Sequence, residues 1–203
     1  MTKEEKYRKL GYRIVAGVDE AGRGPLAGPV VAGSVVLPED FDYPEITDSK
    51  KLSEKKREEF FDIIKSNALY VGVGIVSPQE IDRINILAAA HKAMKLAVLD
   101  MGIMPDMALC DGLPVKGLPC PHNAIVKGDA LVKSISCASI IAKVTRDRIM
   151  KEYDLIYPQY GFASHKGYCT KAHIKALEEY GACPIHRKTF EPIFSMEHRL
   201  ELF

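Results

Sequence analysis

The sequence predicts an α/β fold, in which a mixed sheet of five strands is flanked by helices. Apolar runs bounded by glycine, proline or acidic residues predict strands near residues 14–18, 30–37, 70–77, 107–110 and 124–126. Segments with helical periodicity alternate with the later strands. With 203 residues, 47% of them hydrophobic, the chain can bury one substantial core. We therefore predict a single domain over residues 1–203.

Five stretches after residue 50 predict helices. Ser53 can cap a helix whose apolar face holds Phe60, Phe61, Ile63 and Ile64. Pro78 begins one long segment that is predicted to continue to Val98. Ser134 or Ser136 is predicted to open a third helix, which runs to Tyr153. Two short helices, near 170–180 and 195–202, complete a helical C-terminal extension over about 170–203.

The first predicted strand leads into the most informative segment, Gly17-Val18-Asp19-Glu20-Ala21-Gly22-Arg23-Gly24. Two carboxylates stand at the strand end, where they can bind a cation. Gly22 and Gly24 allow the backbone to turn sharply and approach a ligand, and Arg23 offers donors for phosphate or sugar oxygens. The Gly-Lys-Ser/Thr of a P-loop and the Gly-x-Gly-x-x-Gly spacing of a dinucleotide fold are both absent. The pattern favours a phosphodiester site.

Further carboxylates follow the next strand candidates. Asp111 ends the run 107–110, and Asp129 follows the run 124–126 in Lys127-Gly128-Asp129. Ends of strands in an α/β sheet converge on one edge, so these acids are predicted to meet Asp19 and Glu20 there. Carboxylates packed together repel unless a cation lies between them, and oxygen ligands favour Mg²⁺ or Mn²⁺ over zinc. Each acid taken alone could equally be a solvated loop residue.

The chain resembles the bacterial ribonucleases HII, the type 2 ribonucleases H. The resemblance spans residues 17 to about 190 and rests on blocks in the family's order. These are 17–29, Asp48-Ser49-Lys50-Lys51-Leu52-Ser53, Asp111-Gly112, Lys127-Gly128-Asp129, 138–148, 160–168, and Pro184-Ile185-His186-Arg187 followed by Phe190. It implies the ribonuclease H-like fold.

The resemblance also implies an activity and its residues. The expected reaction is two-metal hydrolysis of the RNA strand of RNA–DNA hybrids, and at single ribonucleotides embedded in duplex DNA, leaving 5′-phosphate and 3′-hydroxyl ends. Asp19, Glu20, Asp111 and Asp129 would bind the cations. Gly22, Arg23 and Gly24 would read the 2′-hydroxyl, Tyr168 would stack on the adjoining deoxyribose, and Lys50 would contact phosphate. We expect a monomer that takes part in the removal of ribonucleotides from DNA.

Two alternatives from other classes stay open. One is a metal-dependent nuclease of the same superfamily that cleaves another nucleic acid, and the other is a non-catalytic module that binds hybrids. A binder gains nothing from clustered negative charge near phosphates, so the four acids argue against it. The type 3 relatives carry an extra N-terminal domain, whereas about thirteen residues precede the first strand here, which disfavours that branch.

Other residues invite functional interpretations that we weigh as weaker. His165, Cys169, His173, Cys183 and His186 could supply zinc ligands, but scattered surface and core positions explain them better. Asp147 follows Lys143 by four residues, so an exposed ion pair on one helix is its simplest role. His91 is predicted to be a packed or surface histidine rather than a catalytic base.

The chain's formal charge of +1 indicates no partner by itself. Residues 127–188, however, hold eleven Lys/Arg against six Asp/Glu, an excess of five positive charges that favours phosphate contact in the C-terminal third.

Five cysteines without a Cys-x-x-Cys pair fit a reducing cytoplasm. The charged N-terminus lacks the apolar core of a secretory signal, and we find no membrane-spanning apolar run.

The C-terminal sequence Arg199-Leu200-Glu201-Leu202-Phe203 resembles the Gln-Leu-x-Leu-Phe peptide that docks on bacterial sliding clamps, with Arg199 in place of the glutamine. A clamp contact through Leu200, Leu202 and Phe203 is one interpretation. The other is a terminal amphipathic helix that covers the core.

Overall fold

A computed structural model describes residues 1–47 and 49–199, with the backbone alone described at Arg199. Its sheet has five strands in the order β3-β2-β1-β4-β5. The strands are β1 Val15–Ala21, β2 Val30–Val36, β3 Tyr70–Val76, β4 Met107–Asp111 and β5 His122–Ile125. Strands β1, β2 and β3 pair antiparallel, whereas β1, β4 and β5 run parallel. The predicted mixed sheet is confirmed.

The α-helices of the described residues are α1 Lys3–Lys9, α2 Glu54–Asn67, α3 Pro78–Ile84, α4 Ile86–Asp100, α5 Gly128–Leu131, α6 Lys133–Ile156, α7 Phe162–His165, α8 Lys171–Tyr180 and α9 Ile193–Arg199. Short 3-10 helices cover Ser49–Lys51 and Pro158–Tyr160. None of these helices is long and apolar enough to cross a bilayer.

Two helices cover the two faces of the sheet. Helix α4 packs its alanine-rich side on Ala16, Val18 and Ala32. Helix α6 packs on the opposite face of the sheet, where it contacts the cores that contain Val15 and Val35. Residues 15 to 18 thus alternate between the two cores, as consecutive strand residues must.

Glycines allow both helices to lie close to the sheet. A Cβ at Gly17 would overlap the backbone of Ser134 in α6, and one at Gly74 would overlap the carbonyl of Ala93 in α4. Both contacts involve backbone atoms, so neither helix could keep its position against a larger residue.

Several predicted boundaries need correction. Strand β1 does not end before the acids but continues through Ala21, because Asp19, Glu20 and Ala21 pair with Gly33, Ala32 and Val31. The long helix predicted from Pro78 is two helices, because Asn85 has a positive φ of 69° with an extended ψ of 163°, which interrupts the helix. Its side chain then caps α4 by accepting from the amide of Ala88.

The opening of α6 also differs from the prediction. Neither Ser134 nor Ser136 caps the helix, which begins at Lys133. Ser136 instead donates its hydroxyl to the carbonyls of Asp129 and Val132. The predicted cap of α2 by Ser53 agrees with the structure, and Thr170 caps α8 by accepting from the amide of His173. The last predicted helix begins two residues earlier than expected, at Ile193, and residues 200–203 lie outside the described part.

Candidate active site

The carboxyl ends of β1, β4 and β5 bring three predicted acids together. Oxygens of Asp19, Asp111 and Asp129 lie within 4.8 Å of one another, and within the described residues this is the only group of acidic, histidine or cysteine side chains placed to hold a metal ion. The three come from neighbouring parallel strands, or from the turn after the last. Carboxylate oxygens at this spacing fit a divalent cation such as Mg²⁺ or Mn²⁺.

Asp19 is the buried member of this cluster, with 4% of its surface exposed. Burial raises the pKa of its carboxyl well above the usual value, and the charges of Glu20 and Asp111 raise it further. A hydrogen bond from Ser139 acts in the opposite direction. A bound cation would stabilise the charged form of this buried carboxylate, which burial and the neighbouring acids disfavour.

Glu20 lies apart from the other three acids. Because residues 19 and 20 are consecutive in a strand, their side chains point to opposite faces of the sheet. The Glu20 carboxylate faces α4, lines a cavity of about 110 Å³ with His91 and Met94, and accepts a hydrogen bond from Arg23 at 3.2 Å. Asp111 lines the same cavity and so adjoins both groups.

The turn after β5 is tied to Asp111. The amides of Gly128 and Asp129 donate to Asp111 Oδ1, at 2.6 and 3.3 Å. These bonds fix the backbone that carries the Asp129 carboxylate. Lys50 Nζ lies 3.2 Å from Asp129 Oδ2, so this predicted phosphate ligand stands beside the acids. Its neighbour in the matched block, Asp48, lies outside the described residues.

Two buried arginines organise the Gly22-Arg23-Gly24 turn, a role that no pattern in the sequence indicates. Arg187 is fully buried and donates to the carbonyls of Gly22 and Arg23, at 2.6 and 3.0 Å. Arg146, 1% exposed, donates to the carbonyls of Ala27 and Pro29. Burial lowers the pKa of Arg187 to about 9, so it remains cationic at neutral pH.

The geometry of the turn requires a glycine at residue 22, whereas a Cβ at residue 24 would make only an ordinary contact. Gly22 has φ of +97°, and a Cβ there would meet the Arg146 side chain and the carbonyl of Pro29. A Cβ at Gly24 would lie 3.9 Å from Cε1 of Tyr168. Within the described part of the chain, the amides of Arg23 and Gly24 donate to no other group. They are therefore available to a ligand beside Tyr168.

Tyr168 is 44% exposed at the rim of this turn. Arg146 and Lys143 lie over its ring, with their charged groups 5.9 and 6.0 Å from the centroid. The two cations contact the ring, and its exposed part is accessible to a sugar or base.

A chain of hydrogen bonds through two histidines ends at the backbone carbonyl of Tyr168. The amide of Cys183 donates to Nδ1 of His186, at 2.9 Å, so that ring carries its proton on Nε2. His186 Nε2 donates to His173 Nε2 at 3.0 Å, and His173 Nδ1 donates to the carbonyl of Tyr168 at 2.9 Å. This order needs both rings neutral, and burial lowers both pKa values, that of His186 to about 4.

The prediction that His165, His173 and His186 are scattered is wrong, because the three rings form one cluster. His165 stacks on His173 with ring centroids 4.4 Å apart. Their nitrogens contact backbone and each other, and Cys169 is exposed elsewhere on the surface. The arrangement is that of a packed core and does not form a zinc site.

Asp147 and His91 both take packing roles rather than catalytic ones. Asp147 pairs with Lys143 at 2.7 Å as predicted, but Asp147 is buried, with 3% exposed, so the pair is not a surface one. His91 is partly buried and accepts a bond from the amide of Lys116, which agrees with a packing role.

The basic excess of residues 127–188 overstates the available cations. Arg146 and Arg187 are buried against carbonyls, and five of the remaining cations pair with carboxylates, namely Lys143, Arg148, Lys151, Lys166 and Lys188.

Comparison with known proteins identifies the family. Residues 16–193 match the family model for Ribonuclease HII. The chain belongs to the ribonuclease HII family. It is 55% identical to the Ribonuclease HII of Acetivibrio thermocellus over 191 residues, which cover 94% of this chain and 74% of that protein. As a member of this family it is a nuclease of the hydrolase class.

Solved structures support the same fold. The ribonuclease H2 of Pyrococcus horikoshii OT3 is similar with a TM-score of 0.78 and 31% identity, covering 92% of this chain and 98% of that one. The RNase HII of Archaeoglobus fulgidus, solved as a complex with PCNA, gives a TM-score of 0.73 at 25% identity, covering 88% and 95%. The predicted ribonuclease H-like fold is confirmed.

Proposed function

We propose that this chain is a divalent-metal-dependent endonuclease that cleaves the RNA strand of RNA–DNA hybrids and cuts at single ribonucleotides embedded in duplex DNA. The observation that carries the proposal is the position of three carboxylates within 4.8 Å beside an exposed turn with ligand-free amides. Family membership supports the same reaction class.

Asp19, Asp111 and Asp129 would hold the cations, with Glu20 adjoining them from the other face. Bound divalent ions would supply a water of lowered pKa and would stabilise the charge on the leaving 3′ oxygen. The acids' own part is to fix these charges at the sheet edge. Asp111 does this through its bonds to the following turn, and Asp19 through burial against α6.

Recognition of the ribonucleotide would use the turn and Tyr168 together. The free amides of Arg23 and Gly24 are donors suited to a 2′-hydroxyl, which is the only group that distinguishes a single ribonucleotide in DNA. Tyr168, 3.9 Å from the position of a Gly24 Cβ, would pack on the adjoining deoxyribose. Lys50, beside Asp129, would reach the phosphate that the acids approach.

The deciding experiment compares two substrates. A duplex with one ribonucleotide should be cut in Mg²⁺ or Mn²⁺ and should remain intact in EDTA, with 5′-phosphate and 3′-hydroxyl products. The all-DNA duplex of the same sequence is the matched control. Equal cleavage of both would favour the alternative nuclease without a 2′-hydroxyl requirement.

Other features of the proposal concern the setting of the enzyme. All five cysteines are free thiols, four of them buried, which supports action in a reducing cytoplasm. We propose that it acts as a monomer in the removal of ribonucleotides from DNA.

The clamp contact is a separate part of this proposal. Leu200, Leu202 and Phe203 lie outside the described residues. The support is the resemblance of residues 199–203 to a clamp-docking peptide, together with a family relative solved with PCNA. Tethering would raise the effective concentration of enzyme at DNA. Deletion of Leu202 and Phe203 should abolish binding to immobilised clamp and leave unassisted cleavage and thermal stability unchanged. A loss of thermal stability would favour a helix that only covers the core.

A further inference from the structure

A second, larger cavity adjoins the candidate active site on the α4 side of the sheet. It has a volume of about 420 Å³, and its lining includes Lys92, Lys95 and Lys116. Leu87 and His91 line both this cavity and the smaller one that holds Glu20 and Asp111. The two cavities therefore share a wall, with carboxylates on one side of His91 and lysines on the other.

The lysines come from two elements that are fixed to each other. Lys92 and Lys95 lie on α4, and Lys116 lies in the loop between β4 and β5. The amide of Lys116 donates to Nδ1 of His91 at 3.3 Å, which holds this loop against the helix. All three lysines are exposed, so their ammonium groups are accessible from solvent.

Positive charge predominates in the cavity. Lys92 pairs with Glu80 at 2.6 Å, and Glu80 also binds Arg83. In residues 1–47 and 49–199, neither Lys95 nor Lys116 pairs with a carboxylate. Two unpaired cations beside a third, next to the acid cluster proposed to hold the divalent cations, form a surface complementary to a polyanion.

We propose that this cavity is a phosphate subsite, which binds the backbone of the nucleic-acid duplex on one side of the cleaved ribonucleotide. The inference rests on the proposed function, because it extends the path of the same substrate beyond the acids. Lysine ammonium groups bind phosphate as point charges without reading the base, so the subsite would add affinity independent of sequence.

The test measures binding without turnover, in an Asp129→Asn background, by fluorescence anisotropy. Two duplexes of equal length and composition carry the single ribonucleotide near one end or near the other, so that only one of them extends across the cavity. The variant Lys95→Gln/Lys116→Gln should bind that duplex about tenfold more weakly and the other one nearly normally. Its slope of log affinity against log salt should fall by about 1.8 on the affected duplex, since each phosphate contact contributes about 0.9.

The matched control is Lys9→Gln/Lys65→Gln. Both lysines are exposed and lie at the opposite edge of the sheet, near the ends where β1 and β3 begin. This variant should bind both duplexes as the parent does, with an unchanged salt slope.

Two results would overturn the subsite. One is an unchanged affinity and slope for Lys95→Gln/Lys116→Gln on both duplexes. The other is an equal loss on both, which would indicate long-range electrostatics rather than a discrete position. Failure of the proposed function is seen separately, as failure of the wild-type protein to distinguish the ribonucleotide-containing duplex from DNA in the cleavage assay.

Discussion

Asp129 and Asp147 are both buried aspartates near the site, but their surroundings assign them different roles. Asp129 lies in the acid cluster, whereas Asp147 lies against Lys143. We predict that Asp129→Asn folds normally and loses about 100-fold or more of metal-dependent cleavage, because a neutral amide is a poorer cation ligand. Initial cleavage rates at saturating Mg²⁺, with circular dichroism to check folding, measure this.

Asp147→Asn is the contrasting variant. It should lower the free energy of unfolding by about 1–3 kcal/mol, because Lys143 would lose a partner in a partly buried position. The folded fraction should still cleave. An inactive Asp147→Asn protein beside an active Asp129→Asn protein would show that the ligand assignment is wrong.

Tyr168 lends itself to a prediction that separates stacking from hydrogen bonding. Tyr168→Phe should keep most activity, whereas Tyr168→Ala should lose about tenfold or more, since aromatic stacking contributes about 1–3 kcal/mol per base in single-strand binders. The loss should be larger on a single embedded ribonucleotide than on a long hybrid, in kcat/KM for each. Equal losses on the two substrates would argue against a role at the junction.

At the scale of residues, the sequence revealed the acids but not the arginines. The grouping of Asp19, Asp111 and Asp129 could be predicted because each acid follows an apolar run and lies within three residues of a glycine. A charge count includes Arg146 and Arg187 in the basic excess of residues 127–188, because it contains no information on burial. Only their donation to carbonyls of residues 22–29 shows that they shape the turn.

At the scale of elements, the turn between β1 and β2 depends on a side chain more than 150 residues away in sequence. We predict that Arg187→Met lowers the free energy of unfolding by several kcal/mol, because buried carbonyls lose their donors at about 1–3 kcal/mol each. Amide hydrogen exchange should also increase at Arg23 and Gly24. Denaturant unfolding and exchange mass spectrometry measure the two effects.

Lys188→Met is the neighbouring control. Lys188 is exposed and pairs with Glu197 at 3.3 Å, an interaction expected to contribute about 0–1 kcal/mol. If Arg187→Met were no more destabilising than Lys188→Met, the turn would not depend on the buried guanidinium.

The elements themselves were largely predictable, and the errors have physical causes. The break between α3 and α4 at Asn85 is not evident in the sequence, because the spacing of apolar residues stays helical on both sides of it, from Ile81 to Leu87 and beyond. The positive φ of Asn85 ends α3, and the side chain of the same residue caps α4. The start of α6 was misplaced because Ser134 and Ser136 have cap-forming side chains that bond elsewhere.

For the whole molecule, the acid cluster predicts a link between metal, pH and stability. The pKa of Asp19 is raised, so below that pKa the folded protein holds a proton that a cation must displace. Mg²⁺ should therefore stabilise the protein more at about pH 8 than at about pH 5. At about 100 times Kd the gain would be about 2.7 kcal/mol, or about 5–10 °C in Tm.

Thermal melts with Mg²⁺ and with EDTA at the two pH values measure this link. Asp19→Asn should lose both the Mg²⁺ effect and its pH dependence, whereas Asp62→Asn, on the exposed side of α2, should keep both. A Mg²⁺ gain that is larger at the lower pH would contradict the raised pKa. Protonation of His186, with its pKa of about 4, lies below this range.

The meeting of the three acids at one sheet edge was predictable from a single rule of α/β folds. Parallel strands carry their carboxyl ends to one edge, and the order β1-β4-β5 places the three acids there. The packing of the C-terminal helices was not predictable in this way. The contacts of His173 and His186 join segments whose spacing in sequence shows no strand or helix period.

The opposite orientations of Asp19 and Glu20 have a consequence for how the chain can change length. Side-chain direction in a strand is a matter of odd and even positions, so a single inserted or deleted residue between Val15 and Asp19 would exchange the two faces. Asp19 would then leave its partners on β4 and β5, although every acid remained in the sequence. The number of residues between Val15 and Asp19 must therefore stay odd or even as it is. Only insertions or deletions of two residues would return each carboxylate to its own face of the sheet.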